Sequence, residues 1–470
     1  MYTGRLTGFW WLPETPGHLV GGALYLEWDE RPRLEVFGQL EGVDMQGALG
    51  QIGKDMIYPI VHGQATDGRA VTLWDAKVGS SQLLLLDPQH AYLEIRATRA
   101  IIGVHVPARD SGFRQVRVGV EHMLDWLEAP LVQRSYETEN GRWIGFQHGW
   151  RKTTPIDCHI GGARVQMSVS AREVGDRVHK SSIEQWAEVV IDPSEPATAD
   201  EIHARYVVPL ANLLTFVTGR AAAVDYVGLV AADLEGEHES ELLWKRRAPR
   251  DPSPRPLMPD DLLFTASALP TTVGSVLERW FDLSADLEDV MNLFLGTRYA
   301  AAMFEQNRFL NLAQAAEALH RAQVGDRRQL TDDERARRDA ILRGSPEEHE
   351  SWLAGLLDDD ARIHFADRIR DFLAWDPWLV PEVIPNAPRF VRKLTDARNF
   401  HTHWDRTSTP RAPEGFDLWA LNEMLIVILE ARILDRLGFG LGERQARIAA
   451  GSAAYRALKL NPDAVGKVRR

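Results

Sequence analysis

Hydrophobic periodicity changes once along this chain, and the change divides it into two kinds of structure. From residue 4 to about 192 the apolar residues tend to alternate with polar ones, as in Arg33-Leu34-Glu35-Val36-Phe37, Arg69-Ala70-Val71-Thr72-Leu73-Trp74, Tyr92-Leu93-Glu94-Ile95-Arg96 and Arg164-Val165-Gln166-Met167-Ser168-Val169. A period of two places alternate side chains on opposite faces, which is the pattern of half-buried strands. Turn signals such as Asp67-Gly68, Asp87-Pro88 and Glu139-Asn140-Gly141 punctuate them. A β-rich region, sandwich or barrel-like, is expected. Beyond about residue 260 the apolar positions recur three or four apart over 275–300, 302–323, 331–343, 346–357, 361–374, 388–403, 417–437 and 442–459. That is the period of helices, and the segment 417–437, with Leu418, Leu421, Leu425, Ile428, Ile433 and Leu437 before Gly438, shows it most clearly. An all-α bundle of about 200 residues is expected there, and the fold class is α+β in separate domains.

Two further signals mark the join. Thr198-Ala199-Asp200-Glu201 has the spacing of a capping box and should open a helix over about 199–218 that stops near Gly219. Residues 249–259 then hold five prolines, Pro249, Pro252, Pro254, Pro256 and Pro259. Such a stretch is stiff and pairs poorly, so it reads as a linker between domains 1–260 and 261–470.

The 470 residues exceed what one core usually organises. With 44% hydrophobic and 26% charged residues and a net charge of -13, the surface as a whole does not attract nucleic acid, and any such contact needs a local basic patch. The single cysteine, Cys158, excludes an intramolecular disulfide framework and suits a reducing compartment. His159 beside it is adjacent only in sequence, which is little ground for a Cys-His catalytic pair. The N-terminus lacks a charged and then apolar leader, and no apolar run reaches the roughly 20 residues that span a bilayer. A cytoplasmic protein with no membrane partner is expected.

Chemistry concentrates at Arg398-Asn399-Phe400-His401-Thr402-His403. Arg binds phosphate through a planar fork of donors, and His exchanges a proton near neutral pH. Spacing alone says little, since the chain has 15 histidines and the same Arg-to-His interval recurs at Arg117 and His122 in a β-rich stretch. Local charge says more. Between Arg389 and Arg411 stand Arg389, Arg392, Lys393, Arg398, Arg406 and Arg411 against only Asp396 and Asp405, a net of +4 inside an acidic chain. Arg389, Arg392, Lys393 and Arg406 are therefore candidate RNA contacts. Helix geometry adds a condition: positions five apart lie about 140° apart around the axis, so Arg398 and His403 do not share a face, whereas Asn399 and His403 do. Either the helix frays or kinks here, or two copies of the motif grip one phosphate in a two-fold dimer.

The same residues admit a rival. His401-x-His403-x-Asp405 resembles the H-x-H-x-D-H run of metallo-β-lactamase-like hydrolases, which would use a metal hydroxide. Arg406 stands where the last His of that run belongs, and the run ends a helix rather than following a strand.

The Arg398-to-His403 interval resembles the R-x4-H motif of HEPN ribonucleases. Asn307-Arg308-Phe309-Leu310-Asn311-Leu312-Ala313-Gln314-Ala315-Ala316-Glu317-Ala318-Leu319-His320-Arg321 resembles the early HEPN helix of ApeA-type antiphage proteins. A β-rich region before a C-terminal HEPN bundle is similar to their domain order. The resemblance implies a metal-independent endoribonuclease without cofactors, working as a homodimer or higher even oligomer in abortive-infection defence. Arg398 would neutralise the scissile phosphate, His403 would be general acid or base at the 2′-OH or leaving 5′ oxygen, and Asn399 would hold phosphate or imidazole. The product would be a 2′,3′-cyclic phosphate. His401, Glu317 and His320 are supporting candidates. RNA is the implied substrate, tRNA among the options, with a phage-derived trigger. The β-rich region would be the sensor or regulator, where tryptophans such as Trp10, Trp143 and Trp150 either fill a core or stack on a ligand. The alternatives are a non-catalytic HEPN module that binds RNA or dimerises, the metallohydrolase, and a carbohydrate-binding β module with a helical appendage.

Overall fold

The structure, a computed structural model, describes residues 4–41, 56–82, 92–129, 131–175, 179, 181–233, 238–246, 255–300, 302–358, 361–403 and 412–462. The chain clusters into two compact units, Met1–Pro259 with Thr265–Phe281 and Asp260–Phe264 with Asp282–Arg470.

In the first unit the alternating segments form the strands their period demands. Six of them, β1 (Gly4–Trp11), β2 (Val20–Leu26), β3 (Arg33–Phe37), β4 (Ile57–Ala65), β5 (Ala70–Gln82) and β6 (Tyr92–Arg96), run in the order β5-β4-β1-β2-β3-β6 and close by pairing of β6 with β5. The barrel form of the expectation is the one realised, and closure leaves these six strands no open edge. Its interior is apolar: Leu6, Trp10, Leu24, Leu34, Val36, Val61, Val71, Leu73 and Ile95 are buried together. Trp10 fits because Gly63 lies under its ring; a Cβ on Gly63 would come within 2.3 Å of the indole carbons.

The thirteen residues of β5 reach beyond the barrel. Val71–Trp74 pair with β7 (Arg99–Ile102), and from there the sheet continues antiparallel through β15 (Glu239–Trp244), β14 (Val224–Ala231), β8 (Phe113–Val120), β13 (Ser181–Asp192), β12 (Ala163–Gly175) and β11 (Ile156–Ile160). Separate from it, β9 (Val132–Glu139) and β10 (Arg142–Trp150) form a two-stranded hairpin. A short helix α1 (Met123–Leu127) precedes that hairpin. The Thr198 capping box is present: the hydroxyl accepts from the Glu201 backbone N–H, and the Glu201 carboxylate accepts from the Thr198 backbone N–H. It opens α2 (Ala199–Ile202), a π turn His203–Val207 and α3 (Val208–Thr218), which stops at left-handed Gly219.

Helices make up the second unit. The segment expected over 275–300 is two helices separated at Leu287, α4 (Val273–Asp286), which clusters with the first unit as far as Phe281, and α5 (Glu288–Tyr299). Then come α6 (Glu305–Val324), α7 (Asp332–Arg343), α8 (Glu347–Asp358), α9 (Phe365–Trp375), α10 (Leu379–Glu382), α11 (Ala387–His403) and α12 (Phe416–Arg436). The last expected helix is also two, α13 (Leu441–Gly451) and α14 (Ala453–Leu460), because the Ser452 hydroxyl caps the second by accepting from Tyr455. Helix α12 is buried almost all round from Leu418 to Leu434 and packs against α6, α9, α13 and α14, which makes it the axis of the bundle. No described helix is long and apolar enough to cross a membrane.

Candidate active site

The motif helix α11 is unbroken from Ala387 to His403. Its apolar residues Phe390, Leu394, Ala397 and Phe400 are buried, which fixes the rotation of the helix and brings Arg398 to the rim and Asn399 into solvent. Helix α6 meets it there. Arg398 Nη2 lies 3.5 Å from Glu317 Oε2, with the two side chains 35% and 22% exposed. That ion pair leaves most of the Arg398 donor fork without a partner among the described residues.

Glu317 is shared. Its other oxygen lies 3.4 Å from Arg321 Nη2, one helical turn along α6. Arg321 Nε in turn donates to Asp326 Oδ1 at 2.6 Å, and Arg368 Nη2 of α9 donates to the same oxygen at 2.8 Å. These cations hold the Asp326 carboxyl below its ordinary range, Arg321 the more strongly. Arg321, Asp326 and Arg368 had no role in the sequence reading. The four-residue spacing of Glu317 and Arg321 was the one signal that could have found the first of them.

His320 ends this chain of contacts, and it is fully buried rather than at a site surface. An arginine can only donate, so the 3.0 Å contact of Arg368 Nη1 with His320 Nδ1 makes that nitrogen the acceptor. The proton of the neutral ring is then on Nε2, which donates to Asp371 at 3.0 Å, while the ring stacks on Trp375. Burial pushes its pKa down, and Arg368 adds to that. His320 joins α6 to α9 as a neutral imidazole.

His401 is also internal. It is 2% exposed and lies against the rings of Phe309 and Phe400. Burial lowers its pKa, with a hydrogen bond to the Pro413 carbonyl opposing the shift. This placement differs from a ring that contacts RNA or caps the helix from solvent. The His403 side chain, Asp405 and Arg406 lie outside the described residues, and with them two members of the rival metal run and one RNA-contact candidate. Among the described residues no three His, Cys, Asp or Glu side chains are grouped to hold a metal.

Of the remaining cations, Arg392 is exposed and Arg389 is partly buried, its backbone N–H donating to Asn386 Oδ1. Lys393 is turned toward Asp417 of α12 at 3.8 Å. Burial lowers its pKa, and Arg389 and Arg392 add to that against Asp417. Elsewhere, burial first and then Asp157 and Glu278 raise the Cys158 thiol, the opposite of an activated nucleophile.

Comparison with known families agrees with this architecture. The model of the ApeA N-terminal domain 1 matches residues 5–280, more than half the chain. The model of the Apea-like HEPN domain matches residues 310–443, a span that includes Glu317, His320, Arg398 and His403. No curated protein and no solved structure matches the chain significantly. The chain therefore belongs to the ApeA family, with an ApeA N-terminal domain 1 followed by an Apea-like HEPN domain.

Proposed function

We propose that this protein is a metal-independent endoribonuclease that acts in antiphage defence, with residues 261–470 as the nuclease and residues 1–260 as the sensor of a phage-derived trigger. One observation carries the reading: Arg398, inside the HEPN match, is held half-exposed at 3.5 Å from Glu317 of the neighbouring helix. A guanidinium so oriented, with donors to spare, is suited to the charge that builds on a phosphate during cleavage. Asn399 is exposed beside it and offers an amide to the same phosphate. His403 would take the proton of the 2′-OH or return one to the leaving 5′ oxygen, giving a 2′,3′-cyclic phosphate.

The unbroken helix bears on stoichiometry. Five residues along a regular helix turn through about 140°, so Arg398 and His403 of one copy do not converge on one phosphate. Two copies related by a two-fold axis would combine the Arg398 of one with the His403 of the other, in a homodimer or a higher even assembly.

The test is to incubate the protein with total RNA, tRNA included, in EDTA and to map the cut ends. Ends bearing 2′,3′-cyclic phosphate are expected from the natural protein and none from Arg398→Ala or His403→Ala. Undiminished cutting by both variants overturns the reading. RNA binding without any cutting makes the bundle a non-catalytic module instead.

A further inference from the structure

The hairpin of β9 and β10 is the least explained surface of the first unit. Its Asn140-Gly141 turn has φ of 51° and 72°, the doubly positive geometry that suits right-twisted strands, so the hairpin is well formed. Yet it stands outside the thirteen-stranded sheet, and a two-stranded hairpin alone is marginal in water. It also displays large rings where a solvated hairpin would carry polar groups. Tyr136, Trp143, Phe146 and Trp150 are 58%, 63%, 55% and 51% exposed.

The register gathers these rings. Phe146 pairs with Tyr136 and Trp150 with Val132, and the irregularity between Trp143 and Gly145 brings Trp143 into the same row. The Trp143 ring stacks on Tyr136 at 5.2 Å and on Phe146 at 6.2 Å. Insertion of a planar group between two rings needs about twice the 3.4 Å stacking repeat, so a ligand would lie over the exposed surfaces of the row, not between its members.

The acids of the hairpin keep to its other face. No acid occupies a position of this row. Glu137 and Glu139 occupy the alternate positions, where Glu137 accepts from Gln147 at 2.8 Å. Residues 132–152 hold four cations, Arg134, Arg142, Arg151 and Lys152, against those two acids, in a chain of net charge -13. An acid-free row of rings in a segment of net positive charge suits a ligand that is planar and polyanionic together. Duplexes hide their base faces, so the ligand is single-stranded.

We propose that the aromatic face of the β9–β10 hairpin is a stacking platform for single-stranded nucleic acid. The proposal does not require that the protein cut RNA. Its test therefore uses a probe that cannot be cleaved through a 2′-OH: a fluorescein-labelled 15-nucleotide oligo(dT), followed by anisotropy with the full chain. Trp143→Ala with Trp150→Ala should weaken binding by roughly tenfold or more, the order expected for loss of one stacked base. Trp143→Leu, which keeps apolar bulk without a ring, should weaken it as well, and Trp143→Tyr should restore it. Trp352→Ala, which removes an exposed ring from α8 instead, should bind as the natural protein does. Thermal melts confirm that each variant is folded. Unchanged affinity in the double variant, or no binding by the natural protein, overturns the proposal. Unchanged affinity with a smaller sedimentation coefficient would assign the face to a second copy of the chain.

Discussion

Glu317 on α6 holds Arg398 on α11 at 3.5 Å, and the same carboxylate reaches Arg321 at 3.4 Å. Partly exposed pairs of this kind contribute little to stability, about 0–1 kcal/mol, so under the proposed function the contact would act by aiming the guanidinium. Glu317→Ala should leave the urea midpoint nearly unchanged while RNA cleavage falls by about 10–100-fold through misorientation. Arg398→Lys should fail to restore cleavage, because an ammonium keeps the charge and loses the fork. Cleavage rates beside denaturation curves for the two variants check this. A Glu317→Ala protein that cuts at the natural rate would show that the contact has no part in the site.

Acid sensitivity should follow from the buried imidazoles. In the unfolded chain His320 takes up a proton near its ordinary pKa of 6.5, whereas the folded protein resists until a lower pH because the ring is buried. The stability this represents is fully present above about pH 6.5 and is lost as pH falls below it. His62 and His401 are lowered by burial too and act in the same direction. Glu430, pushed up to about 7 by burial, acts the other way between pH 7.5 and 5.5, so the His320 contribution is read by comparing two proteins for the pH dependence of the melting temperature. His320→Gln should lower it at pH 7.5, through loss of the Arg368 contact, yet make the effect of acid less destabilising. Equal slopes for both proteins would remove His320 from the account.

Glycine tolerance should separate the inside of the barrel from its rim. At Gly63 a Cβ would sit 2.3 Å from the Trp10 ring, which is fully buried and has nowhere to move, while at Gly21 nothing lies within 4 Å. Gly63→Ala is expected to cost about 1–3 kcal/mol in urea unfolding. Gly21→Ala, in β2, should come within about 0.5 kcal/mol of the natural protein, as surface changes usually do.

Local signals were legible in the sequence, and long-range ones were not. Period two located Arg33–Phe37 and Tyr92–Arg96 with their true bounds, and the Thr198 capping box opened the helix it promised. Closure of the barrel was beyond that reading, since it depends on β5 being long enough to pair with β7 and β6 in turn. The break at Leu287 was hidden because an apolar residue fits the helical period on either side. At the site, Arg398, Glu317 and His320 were legible as candidates, but the contacts that join them were not. His320 reads as a surface polar residue until Arg368 and Asp371 are brought to it from α9, and His401 until Phe309 covers it.

Whether the proposed nuclease site is composite can be decided by mixing two variants, each expected to be inactive. An Arg398→Ala protomer retains its histidine, and a His403→Ala protomer retains its arginine. If each site takes Arg398 from one copy and His403 from the other, a mixed dimer contains one site with both groups intact and one with neither. Random exchange at equal amounts makes half of the dimers mixed, so activity should return to roughly a quarter of the natural level in a two-fold assembly. If a single copy supplied both groups, no mixture could cut, because every protomer would carry one lesion. The measurement is RNA cleavage after co-refolding or subunit exchange, with each variant alone as the blank. Helix α11 runs straight through His403, so the geometry favours recovery; a mixture as inactive as its parents would place both groups on one phosphate within one copy.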